Sequence, residues 1–198
     1  LECNRKCSKT DSFNSECIDC DESYLTGIYE KTYLAYQEYN NYDIYIRTNL
    51  STFYIFDKIY EELKKLPKNR PIYTGASHVQ PRYGTKWNIS NFTYSFGTLI
   101  VMNKMARNLF VDYGKAYIGI READDILISK IFYDLNISHN LDPNLDIYNY
   151  EWNLSVLDNL KNLENNSVIR FKNNNIDINQ YEFIINKFIS RFYNCNNS

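Results

Sequence analysis

The chain lacks the patterns that mark membrane-spanning and nucleotide-cofactor proteins. It contains no run of about 18 apolar residues, so no segment is predicted to cross a membrane. Its 6 glycines form neither GxGxxG nor GxxxxGK followed by Ser or Thr, which excludes the standard dinucleotide and P-loop motifs. The 2 histidines, His78 and His139, lack the spacing of metal ligands and lie in no nucleophile motif.

Neither sign of charge is in large excess. The 22 basic and 24 acidic side chains give a net charge of -2, which argues against nucleic acid as the main partner. The 198 residues suffice for one well-buried domain, and we predict a single domain over 1–198. The first six residues have no apolar stretch of the kind found in signal peptides, which favours an intracellular location. Residue 1 need not be the natural start, so secretion stays open.

Four of the 5 cysteines lie close together, and three interpretations of them remain open. Cys3, Cys7, Cys17 and Cys20 loosely match the spacing of a tetrahedral zinc site. However, residues 15–20 resemble a short strand, in which Cys17 and Cys20 point to opposite faces. A disulfide within this group and free thiols are the alternatives. Cys195 stands apart from them, near the end of the chain.

Hydrophobic periodicity predicts strands that alternate with helices. The 19 tyrosines are expected mainly in the core or on half-buried strands. We therefore predict an α/β sandwich with a mainly parallel sheet. Strands are predicted at 16–19, 44–46, 71–75, 91–96, 99–102 and 168–172, with Gly97 and Thr98 interrupting the fourth, and a long loop at 76–90. Helices are predicted at 25–39, 53–63, 103–113, 124–135, 154–160 and 178–192.

The segment Arg47 to Ser51 is predicted to be the corner between a buried strand and a helix. Ligands of α/β proteins often bind where strands end and helices begin, so this corner is a candidate binding site. A guanidinium there can grip a phosphate or a carboxylate through two parallel hydrogen bonds. The alternatives are a salt bridge of Arg47 to another side chain, and an ordinary turn in which Ser51 or Thr52 caps the helix.

Two further groups of charged residues are candidates for a site. Asp124 and Asp125 open a predicted helix, where a fixed carboxylate can serve as a general base. Acidic residues in a first turn also complement the helix dipole without any further role. Arg170 and Lys172 share one face of the last strand and could add positive charge near a diphosphate, or simply face solvent.

The order of these motifs resembles the fringe and β1,3-galactosyltransferase type of glycosyltransferase. The resemblance covers roughly residues 16 to 135 and looks closest to divergent members from large DNA viruses and some bacteria. It depends on the order of several short segments more than on any single motif. These are Asp21-Glu22-Ser23-Tyr24 with Lys31-Thr32, Tyr42 to Phe53, Tyr73-Thr74-Gly75, Lys86-Trp87, Tyr94-Ser95-Phe96-Gly97 and Asp124-Asp125-Ile126-Leu127-Ile128-Ser129.

This resemblance implies a GT-A-like three-layer fold and an inverting transfer of a sugar from a nucleotide diphosphate donor to an acceptor hydroxyl. Asp125 would be the catalytic base, with Asp124 as its neighbour or alternative. The implied partners are a nucleotide sugar and a glycan or protein acceptor. On the donor side the resemblance places Arg47, Thr48, Asn49 and Lys31, and on the acceptor side Trp87 and Gly97.

The chain departs from the family pattern in three places. Arg47, Thr48 and Asn49 stand where the family has an Asp-rich motif that holds a divalent metal, and they make a poor Mn or Mg site. We therefore predict no metal ligand and weak or absent metal dependence. Ser129 stands where a glycine is usual. Only 15 residues precede the segment that begins at Glu16, so the first nucleotide-binding strand is expected to be missing.

Two other functions remain open on the sequence. A descendant of the same scaffold could bind carbohydrate or protein without catalysis, because a fold does not guarantee chemistry. An unrelated, cysteine-containing secreted α/β domain that binds a partner protein is the third possibility.

Overall fold

The computed structural model divides the chain into two compact units, which we describe separately. The first unit comprises 1–49 and 65–143, and the second comprises 50–64 and 144–198. The prediction of one domain over the whole chain stays a prediction. The structure describes residues 2–3, 17–18, 23, 25–49, 52–54, 56–79, 93–139, 147–151 and 168–172.

The first unit is built around a three-stranded antiparallel sheet. Its strands are β3 (Ile44–Thr48), β5 (Tyr73–Val79) and β6 (Thr93–Asn103), in the order β3-β6-β5. The prediction of a mainly parallel sheet is wrong for these strands. Alternating strands and helices give parallel pairs only when a helix joins neighbouring strands, whereas no predicted helix separates β5 from β6. A short parallel pair, β1 (Glu2–Cys3) with β2 (Cys17–Ile18), also belongs to this unit.

Strand β6 is longer and more buried than its sequence indicates. It runs through Gly97 and Thr98 without a break, so the predicted interruption is wrong. Leu99 to Met102 are fully buried on both faces of the strand. A strand segment that is buried on both faces is typically apolar at successive positions and not only at alternate ones.

Strand β5 likewise continues past the glycine that was expected to stop it. Gly75 has a φ of +149°, and the register between β5 and β6 shifts between Gly75 and Ser77. A Cβ at position 75 would lie only 3.0 Å from the carbonyl carbon of Leu99 and from Oγ of Ser95. The glycine therefore permits a β-bulge, which bends the strand instead of ending it.

Three helices of the first unit pack against the sheet. They are α1 (Gly27–Glu38), α3 (Lys104–Gly114) and α4 (Asp124–Asp134), with a 3-10 turn at Lys115–Tyr117. Asn103 caps α3, because its side chain accepts a hydrogen bond of 2.9 Å from the backbone N–H of Ala106. Ahead of α1, Oγ of Ser23 accepts a hydrogen bond of 3.1 Å from the N–H of Gly27, the first residue of the helix.

The core of this unit is rich in tyrosine, as predicted. The buried rings come from α1, from the strands β3, β5 and β6, and from α3 and α4: Tyr29, Tyr33, Tyr36, Tyr45, Tyr73, Tyr94, Phe110 and Phe132. Several meet edge to face, for example Tyr36 and Phe110 with ring centroids 5.6 Å apart. Burial of large rings in these arrangements stabilises the core beyond the area they remove from water.

Tyrosines form much of the buried faces of β3 and α1. On β3 the buried residue is Tyr45, whereas Ile46 is 40% exposed. On α1 the residues Thr32 and Ala35 are buried, but Leu25 and Tyr39 are only half-buried. Buried Tyr29, Tyr33 and Tyr36 take their place on the inner face, because a tyrosine ring removes more apolar area from water than the smaller side chains do.

The second unit contains the helix and strand that follow the corner, and its observed strands differ from the predictions in two places. Its elements are β4 (Thr52–Tyr54), α2 (Phe56–Leu63), β7 (Ile147–Glu151) and β8 (Val168–Lys172). β8 pairs antiparallel with β4 and parallel with β7. Phe53 lies in a strand and not in the predicted helix, and β7 was expected to be loop. On α2 only Ile59 is buried, while Phe56 and Tyr60 are more than 60% exposed.

Several predictions lie outside the described residues. These are the helices at 154–160 and 178–192, most of the loop at 76–90, and the cysteines other than the strand residues Cys3 and Cys17. Within the described part of the chain, no helix has both the length and the apolar character needed to cross a membrane.

Candidate active site

The side chain of Arg47 joins three segments of the first unit. Its Nη1 donates to the backbone carbonyl of Gly97 and, at 2.8 Å, to Oδ1 of Asn49. Its Nη2 lies 2.6 Å from Oδ2 of Asp124, in an ion pair that is nearly buried. These four residues are candidates on the donor side, on the acceptor side and beside the base, and the structure brings them together from the end of β3, the middle of β6 and the head of α4.

Gly97 makes this arrangement possible because it has no side chain. Strand β3 pairs with β6 so that Arg47 is opposite Ile100, and the long Arg47 side chain extends from there to the backbone of Gly97. A Cβ at position 97 would collide with Nη1 and would lie 3.0 Å from Cζ of Arg47. The group that approaches the backbone at Gly97 in this structure is therefore the guanidinium. The predicted role of Gly97 in acceptor binding stays a prediction.

Asp125 is fixed by two backbone N–H groups. The N–H of Gly97 donates to its Oδ2 at 3.2 Å, and the N–H of Ile126 donates to its Oδ1 at 2.9 Å. The carboxylate stands in the first turn of α4 and is half-buried. Each carboxylate oxygen has a second lone pair, so Asp125 can still accept a hydrogen bond from another group.

Asp124 is the more buried of the two acids. Burial raises the pKa of its carboxyl, and the guanidinium of Arg47 offsets part of that rise. A charge in this position needs a partner, because an unpaired buried carboxylate is costly. The salt bridge that sequence analysis named as the alternative for Arg47 is thus present.

The remaining predicted residues lie outside this group of contacts. Thr48 donates from its hydroxyl to the carbonyl of Thr98 at 3.0 Å. Lys31 lies half-buried in the middle of α1 and is not among the residues that contact Arg47 above. Trp87 is outside the described residues. Arg170 and Lys172 belong to β8 in the second unit, and their side chains are not described.

A hydrogen-bonded chain behind Asp125 was missed by sequence reasoning. The Ser129 hydroxyl donates to the backbone carbonyl of Asp125 at 2.6 Å, so its oxygen accepts the hydroxyl proton of Tyr73. Tyr73 in turn accepts from the N–H of Ser95 at 3.1 Å. Burial raises the pKa of Tyr73, which keeps the phenol protonated as a donor. The only sequence signal for this hydrogen-bonded chain was Ser129, which stands where the glycosyltransferases that the chain resembles have glycine.

The oxygens near the corner do not fit a divalent metal. The amide oxygen of Asn49 and a carboxylate oxygen of Asp124 are hard ligands at this corner, and both face the guanidinium of Arg47. A cation such as Mg²⁺ or Mn²⁺ would have to replace that positive group. Among the described residues, no cluster of three or more His, Cys, Asp or Glu side chains is arranged to hold a metal.

Comparison with known proteins adds no family assignment. No protein-family profile matches the chain, and no curated protein sequence matches it.

Proposed function

We propose that the chain is a GT-A-like glycosyltransferase that transfers a sugar from a nucleotide diphosphate donor to an acceptor hydroxyl with inversion. The observation that supports this best is the meeting of Arg47, Gly97, Asp124 and Asp125. Residues that the family order places on the donor side and at the catalytic base are joined here by direct hydrogen bonds and an ion pair.

Asp125 has the geometry expected of a general base. In the proposed step its carboxylate removes the proton of the acceptor hydroxyl while the acceptor oxygen bonds to the anomeric carbon of the donor sugar. The bond from that carbon to the diphosphate breaks, and the diphosphate leaves with the electron pair. The two backbone N–H groups keep the carboxylate in one orientation during this transfer.

Arg47 has a supporting role in this proposal. Both donors of its Nη1 are used within the protein, and its Nη2 pairs with Asp124. It neutralises Asp124 beside the base, and only its remaining N–H groups could reach a diphosphate. We propose that transfer needs no divalent metal, because the guanidinium takes the place of the cation.

The experiment is a transfer assay with a panel of nucleotide sugars and hydroxyl acceptors, read by mass spectrometry. Asp125→Asn keeps the shape of the side chain and removes the base, so the rate should fall by about 10²- to 10⁴-fold. Asp57→Asn is the matched control, since Asp57 is an exposed acid in the first turn of α2. Addition of EDTA should leave the wild-type rate within about twofold if no metal stabilises developing charge.

Three results would contradict the proposal. One is absence of transfer with every donor, and another is an Asp125→Asn variant that is folded and as active as the wild type. A strict requirement for Mn²⁺ would refute the metal-free version. Absence of transfer would favour the non-catalytic carbohydrate-binding alternative.

A further inference from the structure

A cavity of about 220 Å³ lies in the first unit, and the hydrogen-bonded residues Tyr73 and Ser129 are part of its lining. An engineered cavity of about 150 Å³ accommodates benzene, so this one can hold a six-membered ring with its substituents. Its walls come from β5, β6, α4 and the segment after α4. The lining residues are Tyr73, Thr93, Ser129, Tyr133, Ile137, Ser138 and His139.

The chemistry of this lining is polar and uncharged. Five of its side chains are hydroxyl-bearing and one is apolar, and none of the described lining residues is Lys, Arg, Asp or Glu. Burial lowers the pKa of His139 to about 4, so its imidazole is neutral at physiological pH. A wall of neutral donors and acceptors without a counter-ion disfavours phosphates, carboxylates and metal cations.

His139 has an unmet hydrogen-bonding group at this cavity. Its Nε2 lies 2.6 Å from Oγ of Ser95, and its ring meets the edge of the Tyr73 ring at 5.1 Å between centroids. Its Nδ1 is buried and has no hydrogen-bond partner in the part of the chain that the structure describes. Because this nitrogen is buried, a ligand hydroxyl in the cavity can bond to it only after the imidazole ring turns.

We infer that this cavity binds a single neutral sugar ring. The hydroxyls of Thr93 and Ser138 can donate to and accept from the hydroxyls of a sugar, and the half-exposed ring of Tyr133 offers an amphipathic surface beside them. Ser95 is fully buried and is not a lining residue, so we assign no nucleophilic role to the Ser95–His139 pair. Binding here does not depend on sugar transfer, and a catalytically inactive chain would still bind.

The test is ligand-observed NMR on the full chain, with D-glucose, D-galactose, N-acetyl-D-glucosamine and D-xylose as neutral probes. D-Glucuronate and D-glucose 6-phosphate are the charged probes, because both have the ring of D-glucose and add a negative charge. At least one neutral sugar should bind with a dissociation constant in the millimolar range and shift the ring resonances of His139. Both charged probes should bind at least about tenfold more weakly than that sugar, because none of the described lining residues compensates their charge.

A variant whose side chain fills the cavity tests whether the sugar binds there. Ser138 is an exposed lining residue, so Ser138→Trp can occupy the cavity without disturbing the core, and it should weaken binding at least about tenfold. Ala116→Trp is the matched control, since Ala116 is exposed and is not a lining residue, and it should bind like the wild type. Failure of all neutral sugars to bind, equal binding of the charged probes, or full binding by a folded Ser138→Trp variant would each overturn the inference.

Discussion

The Nη2 atom of Arg47 and the Oδ2 atom of Asp124 lie 2.6 Å apart, and only 12% and 10% of the two side chains are exposed. A pair so well removed from water is costly to break, because the remaining charge is left without a partner. The pair also connects the end of β3 to the first turn of α4, where Asp125 stands. Its integrity therefore affects both the stability of the first unit and the position of the proposed base.

Arg47→Met should destabilise the protein by about 3–5 kcal/mol at neutral pH, because it leaves the Asp124 carboxylate buried and unpaired. Burial already raises the pKa of Asp124, and the variant loses the guanidinium that lowers it. The folded variant then binds a proton more tightly than the unfolded chain, so its deficit should shrink as the pH falls from 7 toward 4. Urea unfolding at several pH values measures this.

The matched control for this prediction is Arg47→Met combined with Asp124→Asn. Without a carboxylate at position 124, the combined variant should be more stable than Arg47→Met alone at pH 7. The difference in unfolding free energy between the combined variant and the wild type should also no longer shrink as the pH falls from 7 toward 4. A deficit of Arg47→Met that is equal at both ends of the pH range would argue against the buried charge as its cause.

Gly97→Ala should destabilise the protein by about 1–3 kcal/mol, because the new Cβ collides with the Arg47 guanidinium. The same change should cost less in an Arg47→Met background, where the colliding group is gone. A double-mutant cycle of unfolding free energies measures this coupling. Additive costs would show that the two side chains do not share this space.

Tyr73→Phe should cost about 1–3 kcal/mol, because it removes the bond to Ser129 and leaves the buried N–H of Ser95 without its acceptor. The stacking of this ring on Phe132, with centroids 4.4 Å apart, is retained. Tyr117→Phe is the control, because the Tyr117 hydroxyl donates to Asp134 at the surface. This change should lower the unfolding free energy by less than about 1 kcal/mol. Equal costs in chemical denaturation would refute a buried chain of hydrogen bonds.

His139 should make the fold sensitive to acid. Its pKa falls from an ordinary 6.5 to about 4 on burial, so below pH 6.5 the unfolded chain takes up a proton that the folded protein does not. Stability should therefore fall between pH 6.5 and 4, by up to about 3 kcal/mol from this residue. His139→Gln should remove this part of the pH dependence, measured as the wild-type-minus-variant difference in unfolding free energy. An NMR titration of His139 near 6.5 would contradict the prediction.

Local chemistry was sufficient to predict the four described α-helices, although α2 begins at Phe56 and not at residue 53, and to name several residues of the candidate site. The Asn103 cap and the paired acids at the head of α4 concern groups within about four positions of each other, so the sequence alone predicts them. The order of the motifs likewise pointed to Arg47, Gly97 and Asp125 before any contact between them was known.

Packing settled the contacts between distant residues and the pairing of the strands. The bonds from Arg47 to Gly97, from Tyr73 to Ser129 and from Ser95 to His139 span 50, 56 and 44 positions. Periodicity carries no signal for such pairs, and it could not show that β6 lies between β3 and β5 or that Tyr45 faces inward instead of Ile46. Those choices depend on which surfaces exclude water together once the chain is compact, and a local pattern does not record that.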